Sequence, residues 1–148
     1  MRSDDFVLSV ALAHPGKALR PNGRAHWATK QRVVREARGR ARLLMLRSKR
    51  DAEAMCMLPE GWRPSQYDVT WFFWGGTGPD ADNALASCKA YLDGCADALG
   101  VNDRVLDCAG IHRVKDREQD GTVLLRFWRE ESSPQQLDAL EAARLSES

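Results

Sequence analysis

Apolar and polar positions alternate loosely through "DFVLSVALAH" (residues 5–14), the period-two pattern of a strand. The following "PGKALRPNGRAH" breaks that pattern with Pro, Gly and Asn-Gly and predicts a basic loop. Residues 27–57 contain no proline and are rich in Ala, Leu, Arg and Glu, which predicts a long helix. Its buried stripe is expected at Val33, Ala37, Ala41, Leu44 and Met45, with Gly39 weakening the middle. "LPEGWRPSQ" is a turn-rich linker. "YDVTWFFWGG" is the strongest strand in the chain, β-branched and aromatic, and Gly75-Gly76 stop it.

Beyond a Pro-Asp turn, a second helix is expected over 81–99, with Gly100 as its stop signal. "RVLDCAGIHRVK" and "TVLLRFWRE" read as the two arms of a hairpin across "DREQDG". Ser133 and Pro134 open a short amphipathic helix. The order strand, helix, strand, helix, strand, strand, helix predicts a small α+β domain with helices packed on a short mixed sheet. The domain is expected over residues 1–131, followed by the carboxy-terminal helix or tail over 132–148.

The 148 residues suit one compact domain, and 43% hydrophobic residues suffice for a core. No apolar run approaches the roughly 18 residues of a membrane helix, and "MRSDDFVLSV" lacks a signal peptide's parts, so a soluble cytoplasmic protein is expected. Cys56, Cys88, Cys95 and Cys108 form no CxxC pair. They read as reduced thiols used as small hydrophobes rather than as zinc ligands. The net charge of +1 hides an asymmetry: residues 1–50 carry thirteen Lys and Arg against Asp4, Asp5 and Glu36. A basic half joined to an acidic half points to a polyanionic partner on one side and metal or acid chemistry on the other.

The acids crowd into "GPDADNALASCKAYLDGCADALGVNDRV", residues 78–105. At about 100° per residue, Leu85, Cys88, Leu92, Cys95 and Leu99 form one stripe of the second helix, the expected core face. Asp82, Lys89 and Asp93 share a second line roughly 100° away, along the flank of that face. Each acid also has an ordinary role open to it. Asp82 can cap the helix, Asp93 can pair with Lys89, Asp97 can be solvated, and Asp103 can fix the turn after Gly100. A calcium loop is a poor alternative, because counting from Asp80 puts Leu85 where Gly is needed and Tyr91 where Glu is needed. His14, His26 and His112 have no ligand spacing.

Asp80-Ala81-Asp82-Asn83, a helical lysine at Lys89, the run Asp97-Ala98-Leu99 (or the earlier Asp93) and a following Asp103 together resemble the RusA family of Holliday-junction resolvases, phage and bacterial endonucleases that cut four-way DNA junctions. The match is specific over about 79–107; "LRPNGRAHW" looks like the family's early Pro/Asn/Arg loop. Three features depart from the pattern. Ala86 occupies the usual lysine position, with Lys89 three residues later on the same face. The final acidic pair is Asn102-Asp103. "GGTGP" carries no basic cluster.

The resemblance implies a Mg²⁺-dependent nuclease (Mn²⁺ as a possible substitute) with Asp80, Asp82 and Asp103 as metal ligands and Lys89 acting on the phosphate. Asn83 would hold the motif loop, and Asp93 is a secondary candidate. Branched DNA would be the partner, with Arg20, Arg24, Lys30, Arg32 and Arg35 on its phosphates. The alternative is a non-catalytic junction- or duplex-binding protein of the same fold. A continuous helix over 81–99 would hold its ends roughly 27 Å apart, far beyond the span of a metal site. Asp80 and Asp82 then meet Asp103 only if the helix breaks, the loop returns, or a second chain supplies the ligand. The last option suits a homodimer making two symmetric cuts.

Overall fold

The computed structural model describes residues 6–20 and 26–130. Strand β1 (Val7–Ala13) alternates strictly between exposed and buried positions, with Leu8, Val10 and Leu12 inward. Helix α1 (Trp27–Ala54) follows, opened by His26, whose Nδ1 accepts from Ala28 N at 3.2 Å. It buries Ala37, Ala41, Met45 and Ala52, while Val33 and Leu44 are half-buried. The helix ends three residues sooner than its composition predicts, and the chain turns away through Cys56 at φ +56°.

Strand β2 (Gln66–Phe73) is buried from Asp68 to Phe72, on both faces, as a central strand must be. Strand β3 (Asp107–Lys115) is exposed along most of its length, and strand β4 (Thr122–Trp128) buries Val123, Leu125 and Phe127. The sheet order is β1-β4-β2-β3. β4 is antiparallel to both β1 and β2, and β3 is parallel to β2. The expected hairpin is therefore not formed: β2 lies between its two arms. The reason is burial. β2 needs cover on both edges and both faces, whereas the polar β3 tolerates the solvent-facing edge. The architecture is the expected α+β domain, with a four-stranded mixed sheet carrying its helices on one face. Among the described residues no helix is long and apolar enough to cross a membrane. The predicted carboxy-terminal helix over 132–148 lies outside the described residues.

The second predicted helix is two helices, α2 (Ala81–Ser87) and α3 (Lys89–Leu99). The Ser87 hydroxyl donates to Asn83 O at 2.7 Å, a side-chain bond to the preceding turn of the kind that bends helices. Cys88 then bonds back to Leu85 O instead of continuing the ladder, at φ −92°, ψ 2°. Cys88, Cys95 and Leu99 of the expected stripe are buried, and the buried face runs on across the break. Ala90, Tyr91, Gly94, Cys95, Ala98 and Leu99 go inward, while Leu85 and Leu92, expected in the core, are only half-buried.

Small residues set how closely α1 and α3 approach. A Cβ on Gly94 would stand 2.2 Å from Arg38 O and 3.1 Å from the Ala41 Cβ, so the helices cross with backbone against backbone. Beside the crossing, Arg38 donates from Nε to Asp97 Oδ2 at 2.6 Å and from Nη2 to Oδ1 at 2.9 Å. Asp97 is thus clamped by α1 while still exposed to solvent.

Candidate functional site

After β2 the chain turns through Pro79, whose carbonyl accepts from Arg113 Nη1 of β3 at 3.1 Å. Asp80, extended at φ −69°, ψ 165°, is the residue that caps α2. Its Oδ1 accepts from Asn83 N at 2.8 Å and its Oδ2 from Asn83 Nδ2 at 3.1 Å. Capping thus falls to Asp80, not Asp82, because the helix begins at Ala81. Asp82 sits exposed in the first turn, where the helix dipole favours an acid.

Lys89 opens α3, and Asp93 follows one turn later. The helix stops at Gly100, left-handed at φ 68°. A 3₁₀ turn over Asp103–Val105 then brings the chain back. Asn102 caps that turn, its Oδ1 accepting from Arg104 N at 3.0 Å. The Asn of the final pair thus does the capping, and Asp103 is left to reach sideways. Lys89 Nζ lies 3.7 Å from Asp93 Oδ1 and 3.7 Å from Asp103 Oδ2. These are ion pairs without a close hydrogen bond. The Lys89 side chain is 71% exposed.

Two depressions flank Lys89, beside a third of about 580 Å³ that Asp93 and Asp103 share with Arg38 and Asp97. One, of about 230 Å³, has an apolar floor of Tyr67, Leu85, Leu92 and Leu106 below Lys89, Asp93 and Asp103. The Tyr67 hydroxyl keeps its proton there, its pKa pushed up to about 12, first by burial and then by the neighbouring Cys108 thiol. The other, of about 310 Å³, runs from Lys89 and Asp93 to Arg20, Lys30 and Val34. Of the residues expected on DNA, Arg20 and Lys30 therefore line a groove shared with Lys89. Arg32 and Arg35 are exposed on α1, turned away from its buried stripe. Arg24 lies outside the described residues.

Of the expected catalytic residues, Lys89 and Asp103 are brought together, with Asp93 as a third member. Asp80 and Asp82 stand at the start of α2. Among the described residues, no three His, Cys, Asp or Glu side chains are grouped around one point where they could hold a metal ion. The half-buried Leu85 and Leu92 were legible only as core residues, yet they floor the cleft. The clamp on Asp97 carries no local sequence signal.

No family model matches the chain. It is similar to an uncharacterized protein of Xylella fastidiosa (strain Temecula1 / ATCC 700964), at 40% identity over 98 residues. The alignment takes in 65% of this chain and 60% of that relative, so the chain spans less than two thirds of the relative's length.

Proposed function

We propose that the protein is a RusA-like, Mg²⁺-dependent endonuclease that cuts branched DNA, such as four-way junctions, and works as a cytoplasmic homodimer. The observation that carries this reading is Lys89, held between Asp93 and Asp103 on the rim of a cleft whose neighbouring groove is lined by Arg20 and Lys30. The donors near that rim are carboxylate oxygens, the chemistry a hard divalent cation prefers over thiol or imidazole. Asp82 and Asp103 would hold it. Asp80 retains a lone pair on each oxygen after accepting from Asn83, enough to contribute.

When bound, such a cation supplies Lewis acidity and a more acidic water. The chain's own residues do the rest. Arg20 and Lys30 draw in the phosphate backbone. Lys89, freed from its carboxylates, faces the phosphate and stabilises the negative charge that grows as the water oxygen bonds to phosphorus and the leaving oxygen departs. The apolar floor of Tyr67, Leu85, Leu92 and Leu106 keeps bulk water from that side.

One observation favours the second reading, a non-catalytic junction- or duplex-binding protein: Lys89 is already paired with two carboxylates, and no three acids converge among the described residues. A labelled synthetic four-way junction incubated with Mg²⁺, with Mn²⁺ and with EDTA separates the two. The nuclease reading expects metal-dependent nicks that Asp82→Asn abolishes while junction binding stays. Binding without nicks under any metal supports the second.

Lys89 meets Asp103 within one chain, but no group of three acids unites Asp80 and Asp82 with Asp103 among the described residues, so a site shared across the homodimer stays one way to bring them together. Mixing inactive Asp82→Asn and Asp103→Asn chains tests it. Recovered nicking supports a shared site, and none in confirmed mixed dimers places each site in one chain.

A further inference from the structure

The inward stripe of α1 is longer than the body it packs on. Trp27, Lys30, Val34, Ala37, Ala41 and Met45 fall within about 40° of one line on the helix, at roughly 100° per residue. Ala37, Ala41 and Met45 are buried and Val34 is half-buried, but Lys30 is exposed and Trp27 is 74% exposed. The first two turns of α1 therefore overhang the end of the body. They present the largest apolar side chain of the stripe to solvent on the side where α1 faces the start of α3. At about 1.5 Å per residue, Trp27 stands about 10 Å beyond Val34, and Val34 lines the groove with Arg20, Lys30 and Lys89.

An exposed indole two turns along α1 from a groove lined by Arg20, Lys30 and Lys89 narrows the partner. An apolar protein surface would cover Trp27 but offer nothing to the charges of Arg20 and Lys30. A nucleic-acid strand satisfies both, with phosphates for the cations and the flat face of a base for the indole. In an intact duplex that face is already covered by neighbouring bases. It is free only where pairing is interrupted, at a branch point, a flap or a single strand.

We infer that Trp27 is a base-stacking residue that lets this site select unstacked over fully paired DNA. About 10 Å corresponds to some three nucleotides at 3.4 Å each. The stacked base thus lies a few nucleotides from the phosphate held in the Lys89 groove. The inference rests on the nucleic-acid reading proposed above and adds the residue that gives it structural selectivity.

The test uses the full chain in EDTA, so that binding is measured without cleavage. Fluorescence anisotropy gives the affinity of wild type, Trp27→Ala and Trp27→Phe for three probes: a four-way junction, a duplex of equal length, and the same junction with abasic sites at the branch nucleotides. Trp27→Ala should weaken junction binding by about tenfold, within the range of loss of one stacked base. Duplex binding and the thermal midpoint should hardly move. Trp27→Phe should keep most of the affinity, and on the abasic junction wild type and Trp27→Ala should bind alike. Equal loss on junction and duplex, or no loss on either, overturns the stacking role. Junction nicking by wild type in Mg²⁺, measured alongside, judges the nuclease reading separately: nicking with an unaltered Trp27→Ala affinity sinks the stacking role alone, whereas failure of wild type to bind any of the probes sinks both.

Discussion

Two clusters of charge sit on opposite sides of the central strand, and they are built differently. On the sheet face turned away from the helices, Asp68 is buried, with 4% of its side chain exposed. Arg126 of β4 grips it with two bonds, one from Nε to Oδ1 at 2.9 Å and one from Nη2 to Oδ2, and His112 Nε2 of β3 lies 3.6 Å away. Its partners are close and fixed by strand register. In the cleft, Lys89 is mostly exposed and sits 3.7 Å from each of two carboxylates. A buried carboxylate with a bidentate partner is committed to the fold, because removing the partner strands a charge. A solvated ammonium at ion-pair distance loses little when a ligand draws it away. The first arrangement holds the sheet together, and the second leaves charge available for chemistry.

The sharpest test of that contrast is Asp103→Asn. Junction cleavage should fall by about a thousandfold, the upper range for losing one transition-state-stabilising group. Stability should change by less than about 0.5 kcal/mol, because Asp103 is solvated. Urea titration beside a single-turnover assay reads both. Arg126→Ala should do the reverse. It leaves Asp68 buried with only His112 near it, and unfolding should become easier by about 3 kcal/mol. Cleavage per folded molecule should stay at the wild-type level.

Gly94→Ala probes the scaffold between the clusters. A Cβ 2.2 Å from Arg38 O forces α1 and α3 apart, for a loss of about 2 kcal/mol. Because α1 carries Lys30 and α3 carries Lys89, junction affinity should fall as well, which anisotropy would detect.

The smallest effect is expected at the Arg38–Asp97 pair. The hydrogen bond from Arg38 holds the Asp97 carboxyl below its ordinary range, so its folded pKa is below its unfolded one. The pair then stabilises the protein at pH values above the ordinary 3.8 and ceases to do so as pH falls through the folded value. With side chains 49% and 38% exposed, the contribution is below about 1 kcal/mol and screened by salt. The stability difference between wild type and Asp97→Asn should be present at pH 7 and shrink as pH falls below the ordinary 3.8 towards the lowered folded value.

What was legible in the sequence follows what is local. Alternation marked β1, and dense β-branched and aromatic residues marked β2, because both report burial of the segment itself. Partner choice is not local. Nothing within "RVLDCAGIHRVK" or "TVLLRFWRE" says that a third strand will insert between them, except that one is polar and the other apolar. The α2–α3 break falls beside Ser87, whose hydroxyl donates to Asn83 O, inside a stretch with good helical periodicity. Leu85 and Leu92 stand at the border of the buried face, packed on the core and lining the cleft at once. The closeness of Lys89 and Asp103 depends on the left-handed Gly100 and the Asn102 cap, which direct the chain back after α3. Asp68 and Arg126 lie in separate strands, and no spacing rule links them.

The strand order has a consequence for how the chain acquires its shape. Among the described residues, strand β1 finds its only sheet neighbour in β4, with Val7 opposite Trp128 and Ala13 opposite Thr122. During synthesis, β1 must therefore wait until nearly all of the described chain has emerged. Until then, β1 is unpaired and one edge of β2 is open, and apolar residues on both face solvent or a chaperone. Such long-range pairing makes for slow folding. A chain interrupted before Thr122 would keep every acid of the 78–105 stretch and yet present bare strand edges, the form most prone to aggregation.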